Sequence, residues 1–476
     1  MDLLRYSATE LIKMVKEGNV QIKDILDCVF LNIDEKNSDI NAFISIDREG
    51  AYERAKEIQN RIDNGERVGI LAGMPVAIKD NISVKNFTVT CGSKILKDYN
   101  AVYSATAIER LLEEDAIIVG KTNMDEFGMG STTTNSYFGA TKNPVNKAYI
   151  TGGSSGGSCA AVASNMSIVA LGSDTGGSVR QPAAYCGLVG IKPTYGTVSR
   201  YGLVAYASSL EQIGVIGKNV SDCAYLLETI AGYDSKDSTS VKRENYDFTR
   251  ELSGDVNGMK IALPKEYFTD DLEPEICIAV KKAAEELAKK GAIVKEINLN
   301  YVEQAAMANY VIACAEASSN LARYDGVKYG YRTENYNDLS SMYENTRNEG
   351  FGEEVKKRIK LGEYVLSSGF YDEHYLKALK VRRLIKDEFN KHFSEFDAIL
   401  APVTKCGPVK LSDKIDEIKM YMDDLYTVPA NLCGFPAISI PFDVDKNNMP
   451  VGVQIIGKCF DEKSILKVAC ALEESR

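Results

Sequence analysis

The sequence has 476 residues, 45% hydrophobic and 26% charged, with a formal net charge of -11, so it buries a substantial core, is globular throughout, and lacks the basic footprint with which a protein neutralises nucleic-acid phosphates. Its eleven cysteines are odd in number and never spaced C-x-x-C, which excludes a disulfide framework or zinc site and reads as a reducing, cytosolic compartment. The first residues, broken by Arg5, Glu10 and Lys13, lack a secretory core, and no apolar run reaches membrane-spanning length.

Ser7 and Glu10 form a capping-box pattern that opens an amphipathic helix, and helical periodicity follows over Ile22 to Glu35 and Glu49 to Asn64, stopped by Gly65. From Met74 the texture changes. Pro75-Val76-Ala77-Ile78 predicts a short strand that ends on Lys79, Ala105 to Glu114 a helix, and Ala116 to Gly120 a buried strand of the parallel-sheet kind. The run TGGSSGGSC, Thr151 to Cys159, leads into a predicted helix over Ser158 to Asn165. A buried strand over Ile168 to Leu171 then enters a second cluster, Ser173-Asp174-Thr175-Gly176-Gly177-Ser178. Further on, Glu275 to Lys290 predicts a helix and Ala292 to Leu299 a strand, while Tyr301 to Asn390 is nearly all helix-forming and reads as a lid or insertion. Strands return at Ala398 to Ala401, Ile438 to Phe442 and Val451 to Ile456, the last two joined as a hairpin by Lys446 to Pro450. Strands on both sides of the helical block argue for one sheet completed by distant parts of the chain, hence a single domain over 1-476.

The glycine-serine run admits several chemistries. It has no Gly-Lys-[Ser/Thr] and no G-x-G-x-x-G spacing, so it supports phosphate cradling poorly. Gly152-x-Ser154-x-Gly156 and Gly153-x-Ser155-x-Gly157 both match a nucleophile elbow, but that chemistry needs a histidine. The only histidines, His374 and His392, lie in charged helical sequence where a solvated surface role is the default. A serine activated by lysine remains, and Lys79 at its strand end is the candidate base.

Lys79, the run Gly152 to Ser158, and Asp174-Thr175-Gly176-Gly177-Ser178-x-Arg180-x-Pro182 with Gly187-Leu188-x-Gly190-x-Lys192-Pro193-Thr194 resemble the amidase signature family. The resemblance implies an α/β fold, an α/β/α sandwich around a large mixed β-sheet. It divides the chain into a helical flank over 1-65, a signature core over 70-230 and a helical insertion over 300-395 that covers the active site. It also implies Ser178 as nucleophile, Ser154 as a bridging serine beside a cis peptide, Lys79 as base, and the amides of Thr175, Gly176, Gly177 and Ser178 as oxyanion hole. A lysine of ordinary pKa, about 10.4, is charged and useless as a base at neutral pH, so the site must bury it. Asp174 and Arg180 read as a buried pair holding the turn, and Ser155 as a supporting residue.

Leu263 to Phe268, Glu316 to Leu321, Arg323 to Val327 and Gly350 to Ile359 are similar to one branch of that family, the A subunits of bacterial glutamyl-tRNA(Gln) amidotransferases. That similarity implies glutamine as substrate, with its ammonia passed on to convert Glu-tRNA(Gln) to Gln-tRNA(Gln). It assigns Arg358 to the substrate carboxylate, Asp424 (or its neighbour Asp423) to the ammonium, and Tyr310 to the pocket wall. It implies no metal or cofactor in this chain, ATP and Mg²⁺ in a partner B subunit that holds most of the tRNA, and a small C subunit tying the other two together, in the cytoplasm and away from membranes. Local sequence alone reads Lys356-Lys357-Arg358 as a solvated helix face. The chain departs from the family's usual pattern at Thr151, Glu211 and Val215. The alternative is a stand-alone amidase acting on another small amide, which needs the serines and lysine but not Arg358 and Asp424.

Overall fold

Residues 3–250, 252–413 and 424–475 are described by a computed structural model. Their strands are β1 (Phe43–Ile46), β2 (Pro75–Lys79), β3 (Ile117–Thr122), β4 (Val169–Asp174), β5 (Val189–Lys192), β6 (Gln212–Gly217), β7 (Lys260–Pro264), β8 (Ile293–Ile297), β9 (Ala398–Pro402), β10 (Ala437–Val444) and β11 (Pro450–Gly457). All eleven lie in one sheet, ordered β1-β3-β2-β4-β6-β5-β10-β11-β9-β7-β8. β2 runs parallel to both β3 and β4, and β7 parallel to β8 and β9, whereas β4–β6, β6–β5, β5–β10 and β10–β11 are antiparallel. The sheet is therefore mixed, and strands from either side of the helical block meet in it. β2, β3 and β4 are buried at every position, as strands covered on both faces must be, and their near-continuous Val, Ile and Ala content follows from that.

The helices are α1 (Ala8–Lys16), α2 (Ile22–Ile40), α3 (Arg48–Asp63), α4 (Thr106–Glu113), α5 (Gly156–Ala163), α6 (Arg180–Tyr185), α7 (Val220–Ile230), α8 (Pro274–Lys289), α9 (Val302–Asn320), α10 (Leu339–Gly350), α11 (Glu353–Leu366) and α12 (Lys377–His392), followed by the short Val428–Cys433 and the terminal Glu462–Glu473. The Ser7–Glu10 capping box is present at α1, and α2 runs past Glu35 until Asn41 closes it in a left-handed C-cap. The hairpin forms as β10–β11.

Two expectations change. Residues 324–338 of the expected helical block contain no helix; Gly326 and Gly330 turn the chain there with φ of +73° and +82°. Strands β1, β5, β6 and β7 add to those read from periodicity. No helix among the described residues is long and apolar enough to cross a membrane.

Candidate active site

The adjacent parallel strands β2 and β4 stay in register up to Ile78–Leu171, so Lys79, the last residue of β2, and the β4 terminus at Asp174 emerge at one sheet edge. The region outside the carboxyl ends of parallel strands is where open α/β sheets place ligands. The run 151–155 reaches this edge immediately before α5, and the Gly153–Ser154 peptide is cis. A Cβ on Gly153 would lie 2.2 Å from Asp125 Oδ2, and one on Gly157 2.3 Å from Asn123 O, so only glycine permits this approach.

Lys79 is fully buried, and its Nζ lies 2.7 Å from Ser154 Oγ, 2.8 Å from Ser155 Oγ and 3.2 Å from the Ser173 carbonyl. Burial pushes its pKa down to about 7, against the opposing pull of Asp125 and Asp174. The neutral amine has two hydrogens and one lone pair. The Ser173 carbonyl can only accept, and the Ser155 hydroxyl donates to that carbonyl at 3.1 Å, which leaves Ser155 Oγ accepting from Lys79. The lone pair then faces Ser154, so the neutral lysine is poised to take the proton of that serine.

The following turn is held by Asp174 and Arg180, an ion pair at 3.0 Å with both side chains fully buried. Burial alone would raise the Asp174 pKa, but the adjacent guanidinium overrides it and keeps the carboxyl well below the usual range. Arg180 also reaches the Thr427 carbonyl and Asn431 Oδ1, which ties the turn to the chain after residue 424. Asp174 accepts the Gly177 N–H at 2.9 Å and the Val179 N–H at 3.1 Å. Of the four amides expected to form the oxyanion hole, that of Gly177 faces the carboxylate in this turn. The amides of Thr175, Gly176 and Ser178 have no acceptor among the described residues. The Ser155 N–H donates to the Ser178 carbonyl at 3.0 Å, joining the two serine turns.

Ser178, Thr175 and Gly176 line a cavity together with Tyr310, Arg358 and Asp424. All three residues assigned to glutamine thus open onto the same space as the serine assigned as nucleophile. Asp423, the other candidate for the ammonium, lies outside the described residues. Arg358 is 5% exposed, which overturns the solvated-face reading of Lys356-Lys357-Arg358; the rotation of about 100° between successive helical residues leaves Lys357 outward and Arg358 inward. Its Nε donates to Glu354 at 2.7 Å and its Nη1 to the Tyr206 hydroxyl at 2.6 Å, with the cation 5.6 Å from the Tyr310 ring centre. Asp424 accepts from Ser131 Oγ at 2.8 Å. Glu211 serves this wall from behind: its carboxylate accepts the N–H groups of Tyr206 and Ala207 and pairs with Arg200 at 2.9 Å.

Tyr206 and Ser131 carry no sequence signal of their own, whereas Glu354 lies in the family-like segment Gly350 to Ile359 and its spacing of four residues from Arg358 on a helix signals a pair. Neither histidine lines this cavity. His374 borders a larger groove of about 440 Å³ between α9 and α12, which contains none of the serine-lysine cluster.

The amidase family model matches residues 24–466. Among curated relatives, the A subunit of the glutamyl-tRNA(Gln) amidotransferase of Agathobacter rectalis is 55% identical, covering 100% of this chain and 95% of that protein. Its counterpart from Halothermothrix orenii is 52% identical over 100% and 98%. Among solved structures, the A subunit of the Thermotoga maritima glutamyl-tRNA(Gln) amidotransferase superposes with a TM-score of 0.82 at 41% identity, covering 99% of this chain and 95% of that one. A 6-aminohexanoate cyclic dimer hydrolase superposes with a TM-score of 0.86 at 25% identity, over 99% and 97%. Sheet, serine-lysine cluster and full-length sequence agreement all lead to one assignment: the chain belongs to the amidase signature family.

Proposed function

We propose that the chain is the glutamine-hydrolysing A subunit of a glutamyl-tRNA(Gln) amidotransferase. The observation that carries this reading is the meeting, in one cavity, of Ser178, a buried arginine and an aspartate, a pairing that suits the carboxylate and ammonium of a free amino acid. The full-length identity to curated relatives of that kind supports glutamine over another small amide.

In this reading neutral Lys79 takes the Ser154 proton, Ser154 takes that of Ser178, and Ser178 Oγ attacks the side-chain carbonyl carbon of glutamine. The amides of Thr175, Gly176 and Ser178 receive the developing oxyanion; one such donor is worth about 3 kcal/mol of transition-state stabilisation. The proton returns through Ser154 to the departing nitrogen, leaving ammonia and a γ-glutamyl ester on Ser178. Water enters by the reverse relay and releases glutamate. Arg358 and Asp424 hold the substrate's charged end and Tyr310 lines its path. The ammonia is used by a B subunit that binds ATP and Mg²⁺ and activates the glutamate on tRNA, a C subunit joins the two, and the complex works in the cytoplasm.

The test is reconstitution of the chain with its B and C partners, followed by conversion of Glu-tRNA(Gln) to Gln-tRNA(Gln) at the expense of glutamine. Formation of Gln-tRNA(Gln) only from added ammonium, never from glutamine, would overturn the reading.

A further inference from the structure

Helix α11 carries Arg358 and begins at a junction, Gly350-Phe351-Gly352, that is tied to the core in several places. Glu126 accepts the Gly352 N–H through Oε2 at 2.8 Å and the Ser93 hydroxyl through its other oxygen, and Ser93 Oγ also lies 3.2 Å from the Gly350 carbonyl. The Phe351 ring packs 5.7 Å from that of Phe127, the residue after Glu126. The fit is close: a Cβ on Gly350 would stand 2.4 Å from Ile95 Cδ1, and one on Gly352 2.4 Å from Glu126 Oε2. Glu126 is 5% exposed, and burial pushes its carboxyl up to about 7.

Glu126 does not line the Ser178 cavity, but the chain that follows it does, through Gly128, Gly130 and Ser131. Its carboxylate therefore joins two walls of that cavity: the loop carrying Ser131, which holds Asp424, and the helix carrying Arg358. We propose that Glu126, with Ser93, is a positioning residue for recognition of the substrate carboxylate, fixing the start of α11 and thereby the placement of Arg358 relative to Ser178. The inference rests on the glutamine reading above.

The donors and acceptors allow a sharp test. Ionised, Glu126 accepts from both Ser93 and Gly352. Protonated, it donates to Ser93, whose own proton turns to the Gly350 carbonyl, while the second oxygen still accepts from Gly352. A glutamine side chain reproduces the protonated pattern, its NH₂ donating to Ser93 and its oxygen accepting from Gly352. Glu126→Gln should therefore keep the clamp and Glu126→Ala should lose it.

Steady-state glutaminase kinetics on the assembled complex decide the matter. Glu126→Ala is expected to raise KM for glutamine about tenfold with kcat within about threefold, Ser93→Ala to raise KM about threefold, and Glu126→Gln to stay within about twofold of the parent. In an Arg358→Ala background, Glu126→Ala should change kcat/KM by less than about twofold, because the clamp acts through that arginine. A fall in kcat with KM unchanged, a Glu126→Gln enzyme as impaired as Glu126→Ala, or equal losses with and without Arg358 would each overturn the proposal. Where Glu126→Ala fails to fold, Ser93→Ala carries the test, and an unaltered KM there is equally fatal. A parent enzyme that does not turn over glutamine, or an Arg358→Ala enzyme with normal KM, identifies the failure as that of the glutamine reading itself.

Discussion

Lys79 Nζ lies 2.7 Å from Ser154 Oγ, and its other contacts are with the Ser173 carbonyl and with the Ser155 hydroxyl, whose own proton is given to that carbonyl. The geometry leaves the lone pair of the neutral lysine one destination. What remains variable is whether the lysine is neutral, and burial sets that by bringing its pKa to about 7.

The glutaminase kcat/KM should therefore rise with pH through about 7 and level off above, since only the deprotonated amine accepts a proton. Lys79→Ala should abolish this limb and lower activity by about 10²- to 10⁴-fold. Glu126 also titrates near 7, but Glu126→Gln should retain the limb, which assigns it to Lys79. A pH-rate profile measured on the three enzymes checks this.

The same depressed pKa has a consequence for stability. Between about 7 and the ordinary lysine value of 10.5, the unfolded chain holds a proton on this lysine that the folded chain does not, so this group makes stability rise with pH across that window. Lys79→Met should remove the contribution. Urea unfolding of parent and variant should show their free energies diverging by up to about 1.4 kcal/mol per pH unit inside the window, with the parent gaining as pH increases.

Ser155 is expected to matter through direction, since it is the acceptor that turns the lysine lone pair toward Ser154. Ser155→Ala should lower kcat about tenfold, the equivalent of one hydrogen bond of about 1.4 kcal/mol, and leave KM for glutamine unchanged. An elevated KM with normal kcat would place Ser155 in substrate binding instead.

Tyr206 bonds Arg358 at 2.6 Å from the side of the core. Tyr206→Phe removes the hydroxyl and keeps the ring, so KM should rise by about tenfold or more with kcat near the parent value, the loss matching a hydrogen bond to a charged group of about 1.5–3 kcal/mol.

Arg180 and Asp174 are a structural pair, and Arg180→Met leaves a carboxylate buried without its cation. Unfolding free energy from denaturant titration should fall by about 3–5 kcal/mol. The effect on kcat should follow from the displaced 175–178 turn.

How far the sequence carries depends on where the signal resides. Lys79, Ser154 and Ser178 were singled out because two glycine-serine runs together with a strand-end lysine match one family; the glycines alone would suit a tight connection just as well. β2, β3 and β4 were legible as short apolar runs. β5 and β6 were not: Val189–Lys192 and Gln212–Gly217 contain glycines and polar residues, and their burial comes from the strands that flank them in the sheet. Arg358 shows the opposite case, with Lys356, Lys357 and Lys360 close by in sequence and an inward orientation that only the packing of α11 on α9 decides. Ser155, Tyr206 and Glu126 act through contacts 76, 152 and 226 residues away along the chain, a range over which no local pattern speaks.

If glutamine is cleaved through an ester on Ser178, that ester can be captured. After incubation with L-glutamine and acid quenching, mass analysis should find one glutamyl group on the peptide containing Ser178. Ser178→Ala should carry none and should release no ammonia. A glutamyl group on any other residue, or glutamine hydrolysis that survives Ser178→Ala, would contradict the account.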